Sequence, residues 1–130
     1  MNYVILYIAS AVVFFAADFV WLSTMGDRLY RPVLGDMMLD KPNLPVAAGF
    51  YLLYLVGLVV LVTAPANGDV FKALWMGALF GFVAYGTYDL TNLATLRNFT
   101  PTLVAIDMAW GTVLTGVSAA AGVWISKFFA

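Results

Sequence analysis

Four long apolar stretches alternate with short polar breaks along the chain. The first covers about residues 3–24 and holds a single charge, Asp18. A polar, turn-rich segment over residues 26–45 follows, with Asp27, Arg28, Arg31, Asp36, Asp40 and Lys41. Pro32, Gly35, Pro42 and Pro45 speak against a long helix there, and leave room only for a short interfacial piece near residues 33–39. The second stretch, about residues 46–64, is closed by Pro65 and Gly68, and a tight turn through Asp69 leads into the third, about residues 70–95. Thr100 and Pro101 read as the cap and first turn of the fourth, which runs to about residue 126. Each stretch is close to the ~20 residues that a helix needs to cross a bilayer. Strand-like alternation is missing, which excludes a β-barrel. The pattern predicts an all-α fold, a four-transmembrane-helix bundle forming one integral membrane domain over residues 1–130.

Composition agrees with that reading. Apolar residues make up 64% of the chain and charged ones 10%, too few to cover the surface of a water-soluble domain. Six Lys and Arg in 130 residues make no phosphate track, so nucleic acid is excluded as a partner and the lipid bilayer is the expected one. The chain has no Cys, His or Glu, which removes disulfides, thiol and histidine nucleophile systems, haem ligation and ordinary zinc sites. No resident metal site is expected, and the sequence leaves any cofactor unknown. Met1, Asn2 and Tyr3 lead straight into apolar sequence without a basic segment, so the first helix is expected to be retained rather than cleaved as a signal peptide.

Arg28, Arg31, Lys41 and Arg97 fall on the side of the first and third loops, against Lys72 and Lys127 on the other. The positive-inside rule then puts both termini outside the cytoplasm. A faint repeat is visible: Asp18, Leu22 and Thr24 recur at the same spacing as Asp89, Leu93 and Thr95, each set at the exit of the first helix of a hairpin. A duplicated two-helix hairpin would give this pattern.

The acids inside the spans carry the functional signal. Asp18 and Asp89 each lie about six residues before the end of their helix, and Asp107 about six after the start of its own, roughly 9 Å below the surface at 1.5 Å per residue. All three ends are on one side of the membrane, so the acids share a leaflet and a depth. Ionisable groups in hydrocarbon are costly and usually face a bundle interior or a water-filled cavity. Tyr85, Asp89 and Asn92 share a helical face that Gly77 and Gly81 continue, and Asp107, Gly111, Thr115 and Ser118 form a second small-and-polar stripe. Trp21 and Trp110 each follow an acid by three residues, and Tyr51 and Tyr54 start the second helix on the same side. Plainer roles compete: the glycines as helix packing, the Trp and Tyr side chains as an aromatic belt, Arg28 and Arg31 as topology signals.

The run from Ala84 through Tyr85, Tyr88, Asp89 and Asn92 to Thr95, the segment Asp107-Met-Ala-Trp-Gly-Thr112, Asp18 with Trp21, and Phe50 to Tyr54 resemble the bacterial domain-of-unknown-function family 2177. The resemblance covers all four stretches. It implies a small four-helix membrane protein in the bacterial inner (plasma) membrane, with its termini in the periplasm by the charge bias, and it carries over no activity and no catalytic residue.

Three readings of function follow. The leading one is an acid-lined intramembrane polar pocket in one leaflet that binds or relays a proton, a cation or a small lipid-derived ligand in a transport-like role. Asp18, Asp89 and Asp107 would bind the ligand or proton, oriented by Asn92, Tyr85 and Thr112 and supported by Trp21, Trp110, Tyr51, Tyr54, Arg28, Arg31 and Arg97. Transport by so short a chain calls for a homodimer. The second reading is an intramembrane enzyme acting on a lipid or isoprenoid, with the arginines on a phosphate headgroup; the third is a non-catalytic accessory subunit. Whether the protein is an enzyme stays open at this point.

Overall fold

The computed structural model describes residues 2–129. Four helices, Tyr3–Met37, Leu44–Ala66, Val70–Thr95 and Pro101–Phe129, are long and apolar enough to cross a membrane, and no strand occurs among the described residues. Each starts on a side-chain cap. The Asn2 side chain accepts from the Val4 amide at 2.9 Å, Asn43 from Val46 at 3.2 Å, Asp69 from Lys72 at 3.0 Å and Thr100 from Leu103 at 3.1 Å. Such caps satisfy amides that have no partner within the helix.

Two of these helices contain an interior proline, and both prepare for it with a wider turn. The first is α-helical over Tyr3–Met25, widens to a π-turn over Gly26–Tyr30, and continues through Arg31–Leu34 and Gly35–Met37. The Arg31 amide donates back to the Gly26 carbonyl, immediately before Pro32. The second helix repeats the device: a π-turn over Val59–Thr63, the Ala64 amide on the Val59 carbonyl, then Pro65. A proline ring offers no N–H and collides with the carbonyl four residues back; one extra residue in the turn moves that carbonyl aside. The expected boundaries change accordingly. Residues 26–37 are helical rather than loop, and Pro65 lies within the second helix, which ends at Asn67 and Gly68 with φ of 54° and 86°.

The fourth helix is the centre of the bundle. Of its most apolar window 56% is buried, against 22–33% for the other three. The third helix lies along it at small residues, as the Gly77–Gly81 spacing predicts. A Cβ on Gly77 would stand 2.8 Å from that of Ala119, and one on Gly81 would strike the Gly111 carbonyl. The first helix packs against the fourth on another side, and Leu6, Phe14, Leu55, Leu58, Leu114 and Val123 fill the space between elements. Val12, Phe19, Phe71, Leu79, Val83 and Val113 point outward, as lipid-facing side chains do. Lipid is as apolar as these residues, so close van der Waals packing and buried polar contacts hold such helices together rather than escape from water. The second helix leans on the bundle through Val59, Val62 and Thr63, while its first turns, with Leu44, Val46 and Phe50 exposed, stand off and leave a cleft.

Candidate functional site: an aromatic cleft floored by aspartates

The cleft has a volume of about 290 Å³ and draws lining from all four helices. The first contributes Phe14, Asp18, Leu22 and Tyr30; the second Phe50, Tyr51 and Tyr54; the third Ala84, Tyr85 and Tyr88; the fourth Asp107 and Trp110. Eight of these twelve side chains are aromatic, two are carboxyls, and neither Lys nor Arg is among them. The Tyr85 ring occupies the space where Gly111 lacks a Cβ, so Gly111 is what allows a tyrosine to stand between the third and fourth helices.

Two indole–carboxyl arms cross at the floor. The Trp110 Nε1–H donates to Asp18 Oδ1 at 3.2 Å, and the Tyr51 hydroxyl faces the same carboxyl. The Trp21 Nε1–H donates to the Tyr30 hydroxyl at 2.9 Å, and Tyr30 in turn donates to Asp107 Oδ1. The two indoles stack with centroids 4.5 Å apart and planes 6° from parallel, which locks the arms together. Higher in the cleft, the Tyr54 and Thr115 hydroxyls are 2.9 Å apart.

Asp89 lies behind this floor. It is 1% exposed and does not line the cleft, and neither of its oxygens has a hydrogen-bond donor. The polar group that faces it is the Asp107 carboxyl. Asp18 and Asp107 are each 6% exposed. All three acids therefore meet at one level of the bundle, with Asp107 between the other two.

Other residues singled out from the sequence are not gathered here. Thr112 donates to the Met108 carbonyl of its own helix at 2.7 Å, so its hydroxyl does not orient an acid. Asn92 sits beside Tyr88 on its own helix and is absent from the lining. Arg31 Nε pairs with Asp27 at 2.8 Å on the surface, and Arg28 and Arg97 are exposed. Arg97 lines a separate groove with residues 32–37. Tyr30 joins the site although its polar, proline-interrupted surroundings in the sequence predict a loop over residues 26–45. A straight helix would hold residues 21 and 30 about 13 Å apart along its axis. The chain instead departs from regular helix at Met25 (φ −100°, ψ −12°) and enters the π-turn, and Leu29, Tyr30, Val33 and Leu34 come to rest on Phe99, Leu103, Val104 and Met108. Arg28-x-x-Arg31, with Leu29 and Tyr30 between the charges, was the available signal of an amphipathic turn.

Fold and cleft together define a multi-pass α-helical membrane protein with a polar floor inside its bundle. The family described as "Predicted membrane protein (DUF2177)" matches residues 3–124, and the chain belongs to that family. Comparison with curated proteins and with solved structures finds no match.

Proposed function

We propose that the cleft binds a small organic cation with an apolar body, taken up within the membrane and handled in a transport-like manner. The observation that carries this reading is the lining, with two carboxyls on the floor, aromatic faces around them and no basic side chain. Each cation–π contact is worth from about 0.5 kcal/mol when exposed to ~2 kcal/mol when desolvated, and the carboxyls supply the opposite charge. An anionic or phosphorylated ligand would be repelled by the two carboxyls and would find no basic side chain to hold it. The floor lies on the side of the bundle that holds Arg28, Arg31 and Arg97. We assign that side to the cytoplasm of a bacterial inner membrane, with the termini periplasmic, by the positive-inside rule. Transport by so short a chain would use two copies.

The test uses benzyltrimethylammonium and its neutral carbon isostere neopentylbenzene on the purified protein in nanodiscs. The cation should quench Trp fluorescence saturably, since Trp110 lines the cleft. The isostere should not, and Asp18→Asn or Asp107→Asn should each weaken cation binding at least about tenfold, equivalent to ~1.4 kcal/mol. Equal binding of the isostere, or undiminished binding by both variants, would sink the proposal.

A further inference from the structure

We infer that Asp89 and Asp107 share one proton, and that a cation entering the cleft expels it. The first half stands on the geometry of the pair; the second rests on the cation reading above. Asp89 is almost wholly buried, neither of its oxygens meets a donor, and the group facing it is a second carboxyl. Two carboxylates cannot hydrogen-bond to each other, because both only accept. One proton between them turns the contact into an O–H···O bond, gives one of the two buried Asp89 oxygens a partner and leaves the pair with a single negative charge. That logic recurs wherever two carboxyls share a site.

The surroundings offer no other neutralisation. Asp18 and Tyr30 face the pair from the first helix, Tyr51 from the second, and Tyr85 and Tyr88 from the third. These are acids or neutral hydroxyls, and among the described residues the one ion pair is Arg31 with Asp27 at the surface. Tyr30 donates to Asp107 Oδ1. Asp107 lines the cleft whereas Asp89 does not. A ligand therefore meets Asp107, and the proton has Asp89 behind it.

The exchange balances. The pair begins with one proton and one negative charge; the cation adds a positive charge at Asp107; the proton leaves through the cleft to water, and the two carboxylates remain with the cation. Cation and proton then oppose each other by linkage. Each must weaken the other's binding by the same factor. Cation affinity should rise with pH while the pair holds its proton, by up to about tenfold per pH unit for one proton exchanged.

Infrared spectroscopy of the full chain in nanodiscs tests the shared proton without any ligand. At neutral pH the wild type should show a protonated-carboxyl carbonyl band that Asp89→Asn removes and Asp18→Asn retains. No such band in the wild type, or a band that survives Asp89→Asn, overturns the shared proton. The coupling is read by adding benzyltrimethylammonium to weakly buffered protein. The wild type should acidify the medium as the cation binds, and binding without acidification overturns the coupling. A complete lack of binding would sink the cation reading and the coupling with it, while the carbonyl band decides the shared proton on its own.

Discussion

Replacing Tyr30 by Phe removes one oxygen and two hydrogen bonds. The hydroxyl accepts from the Trp21 indole at 2.9 Å and donates to Asp107. The two losses differ in size. Neutral hydrogen bonds between membrane helices average about 0.6 kcal/mol, whereas a bond to a charged group is worth about 1.5–3 kcal/mol. Tyr30 is only part-buried and Asp107 lines an open cleft, so water can replace some of what the carboxyl loses. The lower end applies, and Tyr30→Phe should destabilise the folded protein by about 2 kcal/mol. Trp21→Phe removes only the weaker bond and keeps a ring to stack on Trp110, so it should cost about 0.6 kcal/mol. Because both substitutions break the same Trp21–Tyr30 bond, the double variant should fall short of the sum. Reversible unfolding in mixed micelles, followed by far-UV circular dichroism, measures all three. A Tyr30→Phe protein within ~0.5 kcal/mol of wild type, or strict additivity, would refute the argument that Tyr30 ties the first helix to the acid floor.

The remaining predictions concern packing and topology. Gly81→Leu should separate the third and fourth helices, because even its Cβ would strike the Gly111 carbonyl and lie 2.7 Å from Thr115. The expected loss is more than about 3 kcal/mol, and a variant as thermostable as wild type would contradict the observed closeness. Pro32→Ala removes the reason for the π-turn at Gly26–Tyr30 and should lower the affinity for benzyltrimethylammonium as Tyr30 leaves Asp107; unchanged affinity would show that the wide turn does not set the site. Alkaline phosphatase fused after the last residue should be active and green fluorescent protein dark, and the reverse pattern would move the cleft to the other leaflet.

Much of this architecture is legible in the sequence for simple reasons. Hydropathy marks the spans, Thr100–Pro101 marks a helix start, and counting residues from helix ends puts Asp18, Asp89 and Asp107 at one level. Three things were not legible. Pro32 and Pro65 read as helix stops, and only the π-turns before them show how a helix absorbs an interior proline. Thr112 lies on a polar stretch of the fourth helix, but a threonine hydroxyl competes for its own backbone, and here the Met108 carbonyl wins. The aromatic lining depends on how far the second helix stands off, a property of packing between elements that no periodicity along one element encodes. For that reason Phe14, Phe50 and Tyr88 enter the cleft without warning from their spacing.

The separation of charges bears on which chemistry suits this bundle. Phosphate or isoprenoid chemistry would require acids and arginines to face one substrate. Here the acids lie inside, while Arg28 and Arg31 are exposed and Arg97 lines a different groove. Leu29, Tyr30, Val33 and Leu34, from the segment that carries Arg28 and Arg31, pack on Phe99, Leu103, Val104 and Met108. The segment that carries Arg28 and Arg31 outside carries Tyr30 inside, so one amphipathic turn both closes the floor and sorts the charges. The cleft therefore presents two carboxyls and aromatic faces, and no basic side chain lines it.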